Sequence, residues 1–200
     1  MIICDAPQGS DQWLKDRAGV PSASMFKAVL AKGAGKTRES YMIRLAAEIM
    51  TGQPVETYQN GAMQRGTEIE PVARDTYEFI TGRKVDQVGF IKLDSGIAGC
   101  SPDGLVSTDG GLEIKCPNTE THIRTILADK MPPEHKPQVQ GALWICECEW
   151  WDFMSFDDRM ETNQDAIYRQ HRDEKYIKTL SEEVERFAEE LEQMIQKLRA

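Results

Sequence analysis

Residues 101–105, Ser101-Pro102-Asp103-Gly104-Leu105, and residues 111–115, Gly111-Leu112-Glu113-Ile114-Lys115, lie on either side of a turn signal. From Leu112 to Cys116 apolar and charged residues alternate, the period of a strand, and Pro117 ends it because proline cannot donate to a ladder. The stretch Thr108-Asp109-Gly110-Gly111 reads as a hairpin, so a strand over 104–107 is expected beside the one over 112–116. Alternate side chains of a strand share a face, which points Glu113 and Lys115 the same way. A hairpin closing near Asp109-Gly110 brings Asp103 opposite them. Two carboxylates and an amine then meet at one spot.

Working outward, the residues before this hairpin read mostly as helix. Pro21-Ser22-Ala23-Ser24 offers caps for a short helix to about Ala31, and Lys32 to Thr37, with two glycines, reads as a loop. A second helix is expected over about 39–50, and a third over about 63–81 with Gly82 as its C-cap. Residues 85–93 alternate as one strand, turned at Asp94-Ser95-Gly96, and a short strand is expected around 98–100. Beyond Pro117, helices are expected at about 121–129 and 137–146, and strands at 149–156 and near 167–171. Ser181 is the expected cap of a long final helix, acidic at its start and basic at its end, as the helix dipole favours. There is no internal repeat and no long linker. The expectation is one mixed α/β domain over 1–200.

The converging acids and lysine suit metal-assisted phosphodiester hydrolysis. Magnesium is a hard ion held by one or two carboxylates, water and substrate oxygens. Asp103 and Glu113 supply such ligands, with the Ile114 carbonyl between them. Lys115 is placed to orient a water or offset phosphate charge. Alone, a Glu-x-Lys pair is ordinarily a solvated strand face, and Pro-Asp-Gly a turn. It is their combination, in this order on adjacent strands, that matters.

That combination is the Pro-Asp…Glu-x-Lys signature of a large nuclease superfamily. With its flanks, Gly99 to Leu105 and Gly111 to Pro117, it resembles the lambda exonuclease and YqaJ-type viral recombinase family. Gly66-x-x-x-Glu70-x-x-Ala73-Arg74, Gln138-Val139-Gln140 before Leu143-Trp144, and Trp13-x-x-x-Arg17-x-Gly19 before Ser22-Ala23-Ser24 extend the resemblance over about residues 10–180. The resemblance implies a restriction-endonuclease-like core, a central mixed sheet flanked by helices. It implies that Glu70 holds a metal ion or its water, that Gln138 (rather than Gln140) positions substrate near Lys115, and that Arg17 and Ser24 contact the 5′ phosphate. The activity implied is Mg²⁺-dependent 5′-to-3′ digestion of one strand of linear duplex DNA, with Mn²⁺ substituting. Mononucleotides are released and a 3′ single-stranded tail remains for phage-type recombination. The implied partners are duplex DNA ends, two further copies in a homotrimeric ring, and a phage single-strand annealing protein. Lys36 and Arg38, in the glycine-rich loop, are further candidates for backbone phosphate. The competing readings are an endonuclease of restriction or repair type and an inactive DNA-end-binding module.

Composition sets the remaining bounds. The 200 residues are 40% hydrophobic and 28% charged, an ordinary globular mixture. No apolar run reaches the roughly 20 residues a membrane span needs, and no signal peptide opens the chain, so a cytoplasmic protein is expected. Five cysteines (4, 100, 116, 146 and 148) are odd in number and irregularly spaced, which argues against disulfides. Cys146-x-Cys148 lacks the second pair a structural zinc site needs. The net charge of −9 opposes phosphate binding unless basic residues gather locally, as they do at Lys15, Arg17, Lys27, Lys32, Lys36, Arg38, Arg44 and Arg65. Gly33 to Thr37 falls short of a phosphate loop because position 30 is Leu. Trp150-Trp151 reads as sheet packing.

Overall fold

The computed structural model describes residues 1–31, 36–55 and 61–200, apart from the side chains of residues 62 and 63. Strand β1 (Ile2–Cys4) is followed by helices α1 (Asp11–Arg17) and α2 (Phe26–Val29), the latter entered through a 3-10 turn at Ala23–Met25. Helices α3 (Lys36–Thr51) and α4 (Gly61–Thr81) come next. Then follow β2 (Val85–Asp86), β3 (Phe90–Lys92), β4 (Gly99–Cys100), β5 (Gly104–Val106) and β6 (Gly110–Lys115). The chain continues through α5 (Thr119–Ala128), α6 (Lys136–Cys146), β7 (Trp150–Phe156), β8 (Asp165–His171) and α7 (Glu174–Arg199). Five strands form the central sheet in the order β2-β5-β6-β7-β8, and β1-β3-β4 form a smaller one. The β6–β7 pair is parallel and the other pairs are antiparallel, so the central sheet is mixed.

Period-two patterning of β6 and β7 sorts side chains between two cores. Leu112 and Ile114 of β6, with Trp150, Met154 and Phe156 of β7, pack on Ala73 and Tyr77 of α4. Trp151 and Phe153 face the other way, into a larger cluster with α3, α6 and α7, including Leu45, Leu143, Val184 and Phe187. The tandem tryptophans are therefore one for each face, both buried. Glu113 and Lys115, offset by one residue from Leu112 and Ile114, are turned toward the α6 side.

Several expectations are corrected by the tertiary structure. Residues 85–93 are not one strand: β2 joins the central sheet and β3 the small one. The break falls at Gln87 to Gly89, where any Cβ on Gly89 would lie 2.3 Å from the Ala6 carbonyl oxygen. The segment from β1 leaves no room for a side chain there. The hairpin turns at residues 107–109, with Val106 opposite Gly110, and the left-handed residue is Ser107 at φ 58°. Lys36 and Thr37 belong to α3 rather than a loop, and the loop's residues 32–35 lie outside the described residues. The last helix begins seven residues before Ser181, capped by Asp173, which accepts from the Tyr176 N–H at 3.0 Å. Ser181 instead donates to the Lys178 carbonyl at 3.0 Å within that helix. Strand β1 and helix α1 were not expected; α1 buries none of its residues, so it carries no apolar period to read.

Gly110 and Gly111 serve packing rather than a turn. They sit opposite Trp150 and Trp151 in the parallel ladder, and a Cβ on Gly111 would stand 2.3 Å from the Trp151 ring. Trp151 is fully buried and has nowhere to move. Gly111→Ala is expected to cost about 2 kcal/mol through overpacking. Urea unfolding checks this, and an unchanged midpoint would show that the ring yields freely.

Among the described residues no helix is long and apolar enough to cross a membrane. The five cysteines are free; the Cys100 and Cys146 sulfurs lie 3.4 Å apart in the core as thiols in contact.

Candidate active site

The start of strand β5 creates the site. Asp103 precedes that strand and its N–H donates to the Leu112 carbonyl at 3.2 Å, continuing the hairpin ladder by one bond. The next bond in the ladder comes from a side chain: Ile114 N–H donates to Asp103 Oδ2 at 2.5 Å. Within a strand a residue's N–H and C=O point to the same edge, so the Ile114 carbonyl is directed to this side too. Glu113, 3% exposed, accepts on Oε1 from Lys115 Nζ and from Gln138 Nε2, the latter at 2.5 Å. Gln138 reaches it from the first turn of α6. Gln140, two residues on and so turned to the other side of the helix, instead ties His171 and Asp173 together at the start of α7.

The electrostatics follow from crowding. Burial, then the Glu113 and Glu70 charges, push the Asp103 carboxyl well above the usual carboxylate range. Burial alone draws Lys115 down, but Glu113 and Asp103 outweigh it and hold the ammonium protonated. Concentrated negative charge with one fixed cation is the environment that a hard divalent cation relieves. Among the described residues no three Asp, Glu, His or Cys side chains are grouped so as to hold a metal ion by themselves. Two carboxylates and a carbonyl with open positions beside them suit a hard divalent cation that keeps several of its waters.

A pocket opens directly onto this group. Its wall includes Asp103, Glu113, Lys115 and Gln138, and also Arg17, Ser22 and Ser24 from the N-terminal segment. Arg17 stacks its guanidinium on Trp13, 4.1 Å from the ring centre, and Trp13 Nε1 donates to Ser101 Oγ at 3.2 Å. The segment carrying Arg17 is thereby tied to the loop carrying Asp103. Gln8, which sequence reasoning missed, also lines the pocket and donates to the Pro102 and Val88 carbonyls. Its signal is weak, because it lies before α1 in a segment with no period.

Not every expected residue meets there. Glu70 comes from α4 on the opposite face of the sheet and lines a neighbouring cavity, where Arg74 Nη2 bonds its carboxylate. Arg74 Nε also donates to the Asp103 carbonyl at 3.1 Å, so Glu70 is joined to the acid cluster through one guanidinium. With its amide oxygen turned inward, Gln87 accepts from Arg74 Nη1 at 2.7 Å. Burial raises the Glu70 carboxyl, and the Arg74 charge opposes that rise. Arg38 is engaged elsewhere, in a bidentate pair with Glu190 of α7 at 2.6 and 3.0 Å. Lys36 stands exposed at the first position of α3, and neither it nor Arg38 lines the pocket.

A five-stranded mixed sheet flanked by helices, with two acids and a lysine at the open end of a hairpin, is the architecture of the restriction-endonuclease-like fold. The YqaJ-like viral recombinase domain matches residues 12–149, and the chain belongs to that family. A crystal structure of an alkaline exonuclease, LHK-Exo, from Laribacter hongkongensis superposes with a TM-score of 0.88 at 41% identity, covering 95% of this chain and 96% of that one. LHK-Exo in complex with dAMP gives 0.89 at the same identity and coverage. A phage-related exonuclease from Haemophilus somnus 129PT shares the fold, with a TM-score of 0.70 over 90% of this chain and 96% of that chain at 14% identity. No curated protein sequence matches. The chain is an enzyme, a nuclease that acts on DNA, in a family that generally requires divalent metal ions.

Proposed function

We propose that this chain, as one nuclease domain over 1–200, is a Mg²⁺-dependent exonuclease that digests the 5′-ended strand of linear duplex DNA. It releases mononucleotides and leaves a 3′ single-stranded tail. The observation that carries this reading is the shared pocket: Arg17 and Ser24 face the same cavity as Asp103, Glu113 and Lys115. Residues suited to a terminal phosphate and residues suited to hydrolysis then line one cavity, an arrangement for acting at a strand end. The dAMP complex of LHK-Exo is in keeping with a mononucleotide product.

In this proposal Asp103, Glu113 and the Ile114 carbonyl would hold the metal ion, and Glu70 would hold the ion or its water. The bound ion supplies charge stabilisation at the phosphate and a more acidic water. Gln138 and Lys115 hold Glu113 Oε1 in place, and Lys115 offsets charge on the scissile phosphate. Arg17 and Ser24 take the 5′ phosphate, and Lys36, exposed at the start of α3, is the candidate for backbone phosphate, whereas Arg38 is held by Glu190. A homotrimeric ring around DNA, with a phage-type single-strand annealing protein as partner in the cytoplasm, completes the proposal.

The experiment is digestion of 5′-phosphorylated linear duplex beside covalently closed circular DNA, with Mg²⁺, with Mn²⁺ and with chelator. Mononucleotides from the linear substrate alone, lost on chelation and restored by either ion, are expected. Cleavage of circles would point to an endonuclease. Binding to ends without release of nucleotides would point to an inactive end-binding module.

A further inference from the structure

Arg17 and Ser24 stand at the two ends of one loop, and α3 holds that loop by its backbone. Tyr41 and Glu48 are seven residues apart on α3, which places them on one face two turns apart. Both are buried, at 3% and 5% exposure. Tyr41 Oη accepts from Ser22 N–H at 2.9 Å, and Glu48 Oε2 accepts from Gly19 N–H at 2.9 Å. The other carboxylate oxygen of Glu48 takes Val55 N–H at 3.3 Å and faces Arg44 Nε at 3.4 Å. The loop is pressed against the helix: Gly19 has φ +76°, and a Cβ there would lie 2.5 Å from Ile49 Cγ1. Beneath the loop is a second cavity lined by Tyr41, Arg44 and Glu48, which shares Arg17 and Ser22 with the candidate active-site pocket.

A buried carboxylate is costly unless it is fully bonded, and an apolar residue at position 48 would pack a helix face at lower cost. Here the carboxylate fastens the N–H two residues after Arg17, while the phenol fastens the N–H two residues before Ser24. We propose that Tyr41 and Glu48 are positioning residues for 5′-phosphate recognition, fixing the 18–22 loop so that Arg17 and Ser24 present their polar groups to one phosphate. This rests on the proposed reading that Arg17 and Ser24 receive that phosphate. Neither positioning residue touches the DNA.

The test is steady-state digestion of two linear duplexes, one 5′-phosphorylated and one 5′-hydroxyl, by wild type, Tyr41→Phe, Glu48→Gln and Arg17→Ala. Tyr41→Phe removes a single oxygen, and thermal melting verifies that it folds. Both positioning variants are expected to raise KM for the phosphorylated end about tenfold, with kcat within about twofold and KM for the hydroxyl end unchanged. A purely structural role lowers the active fraction alike for both substrates, so equal effects on both ends would overturn the proposal. So would an unaltered phosphate preference in Tyr41→Phe and Glu48→Gln when Arg17→Ala abolishes it. If Arg17→Ala keeps the preference, the reading of the pocket falls, and the proposal falls with it.

Discussion

Asp103→Asn is expected to reduce DNA hydrolysis by about 10³-fold or more while leaving the protein folded and able to bind duplex ends. The amide keeps the shape of the side chain and an oxygen that can accept from Ile114 N–H, the bond now made by Oδ2. What it removes is the negative charge, and with it a ligand to the divalent ion in the proposed mechanism. That charge is held against burial and against Glu113. Its removal therefore relieves repulsion in the metal-free protein, and the thermal midpoint is expected to hold or rise slightly. Nucleotide release and a thermal melt on the same preparation check both halves. Retention of a tenth of wild-type activity would remove Asp103 from the metal site, and a collapsed melt would assign it a structural role instead.

The largest effect on stability is expected at Asp157, which is not part of the pocket wall. Its carboxylate is fully buried and accepts from Thr119 Oγ1 at 2.6 Å, Arg159 Nε at 2.7 Å and Arg65 Nη2 at 3.1 Å. It thereby fastens α4, α5 and the end of β7 to one another. Asp157→Ala is expected to cost about 3 kcal/mol, the lower end for a broken buried pair, because both arginines retain access to water. The pH dependence has a definite sign. Burial pushes this carboxyl up, but the bonds from Arg159 and Thr119 outweigh it and leave it well below the usual range. A carboxyl depressed on folding stabilises above its unfolded value, near 3.9, and that stability is lost as pH falls through the folded value. Wild type is thus expected to weaken steeply below about pH 4, and Asp157→Asn to weaken less over the same window. Urea unfolding at neutral and acid pH measures this; parallel pH profiles for the two proteins would sink it.

How far the sequence determined this protein depends on the range of each interaction. The triad of Asp103, Glu113 and Lys115 was legible because it is local: a strand period orients two members and a short hairpin carries the third beside them. The same is true of α4, α5, α6 and β7, whose periods and breakers are written in their own residues. The family resemblance supplied Arg17, Ser24 and Gln138, which no local pattern singles out. Tertiary structure alone decided the rest. It divided residues 85–93 between two sheets, because the segment after β1 lies against Gly89. It moved the final cap from Ser181 to Asp173, since both residue types cap helices and only packing chooses between them. The basic residues that gather in the first half of the sequence were also sorted by folding: Arg38 pairs with Glu190, Arg44 with Glu48 and Arg65 with Asp157 and Asp158, while Arg17 lines the pocket. Charge in a sequence has no address. A guanidinium is available to phosphate or spent on a carboxylate according to what packs beside it, and for Arg38 and Arg65 that neighbour lies 152 and 92 residues away along the chain.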